Sequence, residues 1–195
     1  MARTANLAAV VAAAFLLGAG PADDGRWLAG GFSFSDELGG FNILDIRGSG
    51  TKADPVVVTQ ELSSASAVIL VIRQDGARAP SKETHRPGMA LYLEVEIVNG
   101  SGLPWVEFSY ELQVHLGQPS VYGDGLSFDQ AQAEGGTIGA DTFAAFSRDF
   151  EPYDRLLFHD GKVDPKETAT FKMLITDLTP TYQFYLVEDP RIPLS

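Results

Sequence analysis

Between residues 90 and 114 apolar and polar side chains alternate with a period of two, interrupted once. In the first half Leu91, Leu93, Val95 and Ile97 share one parity, while Tyr92, Glu94 and Glu96 share the other. In the second half Val106, Phe108, Tyr110, Leu112 and Val114 alternate with Glu107, Ser109, Glu111, Gln113 and His115. Successive side chains of an extended chain point to opposite faces, so each half reads as a strand with one dry face and one wet face. A helix would mix the two sets around its circumference. The interruption, Asn99-Gly100-Ser101-Gly102, is rich in turn formers, and its position predicts a β-hairpin of strands 90–98 and 106–114.

The rest of the chain carries the same signal in shorter pieces. Residues 55–62 (PVVVTQEL) and 67–73 (AVILVIR) are β-branched runs without helical spacing. Strands are also predicted at 41–46, 126–129, 142–147, 154–158, 168–176 and 182–187, with a short edge strand at 32–35. No segment after residue 22 carries an amphipathic helix of three turns. Many short strands separated by turn residues predict an all-β, antiparallel sandwich of immunoglobulin-like or jelly-roll-like kind. An outer-membrane barrel also alternates, but its strands run to ~9–11 residues, and these are uneven and mostly shorter. Residues 74–88 and 117–141 are weak in strand signal and are expected to be long loops.

Residues 1–22 read as a secretory signal. Arg3 precedes an apolar run at 7–17 (LAAVVAAAFLL), which is followed by Gly18-Ala19-Gly20-Pro21-Ala22. Crossing a bilayer takes ~20 apolar residues, so the run fits a cleaved leader better than an anchor. Cleavage is expected after Ala22, with Ala19 the alternative, leaving residues 23–195 as one β-sandwich domain with no transmembrane segment. The protein is accordingly expected to be exported, to the periplasm or beyond. A domain of this size buries enough surface to need no staples, in keeping with the absence of cysteine. The whole chain has 26 acidic and 14 basic residues and a net charge of −12. Nucleic-acid binding relies on Lys and Arg displacing counterions, so nucleic acid is not an expected partner.

Chemistry is sparsely signalled. His85, His115 and His159 lack the spacing of a zinc helix, and neither a nucleophile elbow nor a phosphate loop is present. Catalytic residues are therefore not assigned, and a secreted hydrolase would need a dispersed site, with His159, Asp160 and Asp154 as its candidates. Acids crowd the segment 124–167 beside glycines and prolines. Calcium takes six to eight oxygens, some from bent backbone, so Asp124, Asp129, Asp154 and Asp160 are the candidate ligands of a possible Ca2+ that would stabilise the domain. The same residues also make turns without any metal, because Asp bonds its own backbone and Gly tolerates positive φ. Aromatic side chains on wet strand faces or beside turns suit a glycan or protein partner, since they bury large area at low entropic cost. Trp105, Tyr92, Tyr122 and Tyr153 are the candidates, with Trp105 alternatively closing the end of the core. The functional expectation is a secreted, non-enzymatic binding or interaction module. A structural envelope or matrix subunit, associating through an open strand edge, is the further alternative to the hydrolase.

The segment 99–112, N-G-S-G-L-P-W-V-E-F-S-Y-E-L, resembles the N-x-T-G-x-x-W-x-x-F-x-x-E-L pattern of uncharacterised bacterial exported β-sandwich domains, including some in exosortase-sorted surface proteins. Asp124-Gly125-Leu126-Ser127-Phe128, residues 154–161 and Pro190 are similar in order and spacing. The resemblance spans residues 90–190 and implies an extracytoplasmic β-sandwich, with no activity or catalytic residue attached. The Pro-Glu-Pro motif, apolar helix and basic tail of the sorted members are not found at the C-terminal end, so a soluble periplasmic or released protein is expected.

Overall fold

The structure is a computed structural model, and it describes residues 21–75, 88–121, 123–129, 136–148 and 150–193. Among these residues every regular element is a strand. In chain order they are β1 (Trp27–Ala29), β2 (Phe32–Ser35), β3 (Phe41–Arg47), β4 (Val56–Leu62), β5 (Val68–Gln74), β6 (Met89–Asn99) and β7 (Glu107–Gln113). There follow β8 (Leu126–Phe128), β9 (Gly139–Ala140), β10 (Phe143–Ser147), β11 (Arg155–Gly161), β12 (Thr168–Asp177) and β13 (Gln183–Arg191).

They form two sheets packed face to face as a β-sandwich. The seven-stranded sheet has the order β1-β2-β5-β13-β7-β11-β10, and the six-stranded sheet the order β3-β4-β6-β12-β8, with β9 also on β12. The alternation explains the packing: Leu91, Leu93, Val95 and Ile97 of β6, and Phe108, Tyr110 and Leu112 of β7, all point into one core and are buried. Phe171 of β12 stands at its centre, touching the rings of Phe108, Tyr110, Phe143 and Phe158. Within this antiparallel plan one pair departs: β4 and β6 run parallel. Parallel neighbours need a crossover, and here β5 in the opposite sheet supplies it.

The hairpin expected at residues 90–114 is not formed. β6 pairs with β4 and β12, whereas β7 lies in the other sheet between β13 and β11. Alternation reports which face is dry, not which strand lies alongside, and strands facing each other across a core alternate just as paired strands do. The turn residues fold into an arch instead. Asn99 is fully buried, and its Nδ2 donates to the carbonyls of Leu103 (2.8 Å) and Val163 (3.0 Å). Its Oδ1 accepts from Ser101 N (3.1 Å) and Ser101 Oγ (2.7 Å). Positive φ falls at Gly102 (+75°) and not at Gly100, so the Asn-Gly pair does not make the tight hairpin turn it usually signals.

Two strand ends moved by more than one residue. The strand expected at 154–158 extends to Gly161, and that expected at 182–187 runs on to Arg191, through Pro190. β1 and β9 were not anticipated. Most of the long loop expected at 74–88, with His85, lies outside the described residues. Among the described residues no helix is long and apolar enough to cross a membrane.

Candidate ligand-binding face

The outer face of the six-stranded sheet is built on the longest register of the fold, in which all ten residues of β12 pair with β6 from Thr168↔Val98 to Asp177↔Met89. Since Leu91, Leu93, Val95 and Ile97 point inward, Tyr92, Glu94 and Glu96 must point outward. Register then sets their neighbours: Tyr92 lies opposite Leu174, Glu94 opposite Lys172 and Glu96 opposite Thr170. Lys172 Nζ is 3.3 Å from Glu94 Oε1. Farther along, Glu96 accepts from Thr59 Oγ1 (2.8 Å) and Arg47 Nη2 (2.9 Å), which ties β3, β4 and β6 together on their wet side.

Tyr92, Glu94 and Lys172 form the floor of an open depression of about 200 Å³. One wall is the β3–β4 connection, with Lys52 and Pro55, and another carries Gly136 and Thr137. The lining thus brings together a tyrosine, two lysines, a glutamate and a threonine, with Leu93 and Met173 completing it. The depression is smaller than the ~300–1,000 Å³ of pockets that enclose a drug-sized molecule. It has room for one ring of a longer ligand lying across the sheet.

The other expected aromatics do not join it. Of the two readings of Trp105, binding from the wet face is corrected and closure of the core end is the one found: Trp105 is 0% exposed. Its main chain bridges to Val163, its Nε1 donates to Ser101 Oγ (3.1 Å), and its ring packs edge-on to Phe108. β7 begins only at Glu107, so period-two parity cannot be carried back to residue 105. Tyr153 is exposed at the turn before β11, where it bridges to Val121. Tyr122 lies outside the described residues.

Asp124 lies near Asp154, but among the described residues the four candidate calcium ligands do not converge as a cluster of three. Both carboxylate oxygens of Asp124 lie 2.9 Å from Ser120 Oγ, and they also accept from Val121 N (3.0 Å) and Leu126 N (3.0 Å). That is the hydrogen-bonding pattern of an aspartate closing a turn. Asp154 accepts from Ser127 Oγ at 2.6 Å. Burial pushes its carboxyl above the usual range, against that hydrogen bond, and the nearby Asp124 charge adds to the push. Asp129, buried, accepts from Thr137 Oγ1. Asp160, 72% exposed, pairs with His159. Among the described residues no three His, Cys, Asp or Glu side chains come together as a metal would require. The thermal midpoint in millimolar calcium, set against that in chelator, tests the four ligands as a set. A rise with calcium would show a native-state site.

Of the hydrolase candidates, Asp154 stands apart from the His159–Asp160 pair. Asp154 precedes β11 and His159 and Asp160 lie towards its far end, about 20 Å along an extended chain at ~3.3 Å per residue. His159 Nδ1 is 3.2 Å from Asp160 Oδ2, and Asp154 is engaged elsewhere. No family model, curated protein or solved structure matches the chain.

Proposed function

We propose that this protein is an exported, non-enzymatic binding module that holds one ring of an extended glycan against Tyr92 on the outer face of the six-stranded sheet. The observation that carries this reading is the depression itself. Tyr92 offers a flat apolar surface, while Lys52, Lys172, Glu94 and Thr137 surround it with donors and acceptors. A sugar ring asks for that combination, an apolar C–H face and a rim of hydroxyls, and a strand-borne aromatic supplies its half at low entropic cost. Residues 7–17 support export. The acidic balance favours neutral or cationic glycans over polyanions.

Affinity electrophoresis through gels containing a panel of neutral, cationic and anionic polysaccharides tests the proposal. The wild-type protein is expected to be retarded by at least one neutral or cationic polysaccharide. Tyr92→Ala is expected to weaken that retention at least tenfold, about 1.4 kcal/mol, with the thermal midpoint little changed because Tyr92 lies outside the core. Equal retention of the two proteins, or retardation by none of the panel, would reject it.

A further inference from the structure

The middle of the core holds a polar contact that neither the fold nor the binding face requires. Gln60 of β4 and Glu188 of β13 are each 0% exposed, and Gln60 Nε2 donates to Glu188 Oε2 from one sheet to the other. The remaining oxygens of the pair, Gln60 Oε1 and Glu188 Oε1, are both buried and have no hydrogen-bond partner among the described residues. Two acceptors so placed would each carry the full cost of lost hydration. A proton on Glu188 changes this, because a carboxylic acid is both donor and acceptor, the complement of a carboxamide.

We infer that Glu188 is carried as the neutral acid and closes a two-bond acid–amide ring with Gln60, a clip between the sheets that opens when the acid loses its proton. Among the described residues the neighbours along and beside the two strands carry no charge that would favour the carboxylate. On β4, Gln60 is flanked by the inward Val58 and Leu62, and its register partner on β6 is Ile97. Glu188 lies between the inward Leu186 and Pro190, opposite Val68 of β5 and Tyr110 of β7. Tyr110 is the one titratable group among these neighbours. Its hydroxyl is also buried without a partner, and burial, aided by Glu188, holds its ionisation well above the ordinary tyrosine range. Burial pushes Glu188 to about 8, against the hydrogen bond from Gln60.

The direction of the pH effect follows. Between the unfolded carboxylate range and about 8, the folded chain binds one proton more than the unfolded chain. The clip's contribution is therefore complete below the unfolded value, declines as pH rises, and is gone above the folded value. Unfolding curves of wild type and Glu188→Gln across this range test the clip, since an amide at 188 can still pair with Gln60 but cannot titrate. The wild-type unfolding constant, divided by that of the variant, is expected to rise roughly tenfold per pH unit within the window and to level off above it. A ratio independent of pH would overturn the inference. Carbon NMR of wild-type protein labelled at glutamate carboxyls decides the matter even if the variant does not fold. One carboxyl is expected to remain protonated at neutral pH and to titrate near 8, while titration of every glutamate in the usual acidic range would refute the clip.

Discussion

Phe171→Ala is expected to cost about 3–5 kcal/mol, a large share of the ~5–15 kcal/mol that holds a typical domain together. The ring is 0% exposed on β12 and meets four others, those of Phe108 at 4.7 Å, Phe158 at 5.0 Å, Tyr110 at 5.2 Å and Phe143 at 5.8 Å between centroids. All four belong to β7, β10 and β11 of the opposite sheet, so removing this side chain takes away contacts that hold the layers together. Surrounding groups cannot easily fill the gap, because each ring sits on a strand fixed by its own register. The cost should therefore fall at the upper end of the range for aromatic truncation, where the cavity persists. Urea unfolding monitored by the fluorescence of Trp27 and Trp105 measures it. Phe171→Leu, which keeps most of the volume, should cost distinctly less. Similar midpoints for the wild type and the alanine variant would mean that the two layers are held together by something other than this aromatic cluster.

The same core shows what the sequence could and could not convey. Period two placed the inward sets of β6 and β7 correctly because dryness is a local property of each strand. Pairing partner is not local. Asn99-Gly100-Ser101-Gly102 was read as the turn of a hairpin closing within one sheet, when the connection from Gly100 to Val106 carries the chain across to the other. Nothing in the alternation of 106–114 separates these outcomes. A buried asparagine that uses its side chain to hold Leu103 and Val163 shows itself only once Val163 is known to be near.

For the candidate site, Tyr92 was legible because its parity within an uninterrupted strand is unambiguous, and the depression adds the residues that converge on it from the β3–β4 connection and from Thr137. The wet-face reading of Trp105 extended parity beyond the end of a strand, whereas its alternative, closure of the core end, is what the structure has. The acidic turns were legible as turns: Asp124 serves Ser120, Val121 and Leu126. Glu188 went unremarked because the strand was ended at residue 187, before Pro190. Carried on, Phe184, Leu186 and Glu188 share an inward parity, as do Val58, Gln60 and Leu62 on β4. Two polar residues on dry parities were the available signal, and their meeting across the core was not, since it depends on how the layers are superposed.

Gly48→Ala is expected to damage the fold and the proposed binding face together. Gly48 follows β3 directly and has φ +98°, a conformation that costs an L-residue of order 1–3 kcal/mol. A Cβ built there lies 1.9 Å from the Pro55 carbonyl oxygen and 2.8 Å from its carbonyl carbon. These are backbone atoms, so no side-chain rotation relieves the clash and the start of β4 must shift. Val56, the next residue, is fully buried and in parallel register with Leu93, so the shift is opposed by the core. Gly102→Ala is the control. It too has positive φ (+75°), but nothing lies within 4 Å of its added Cβ, so it carries the conformational cost alone. Gly48→Ala should therefore be the less stable of the two by thermal unfolding. Because Lys52 and Pro55 wall the depression over Tyr92, it should also reduce polysaccharide retention at temperatures where the protein remains folded, whereas Gly102→Ala should leave retention intact. Equal stability of the two variants would show that the β3–β4 connection yields freely, and a wall that yields so freely could not hold a ligand against Tyr92.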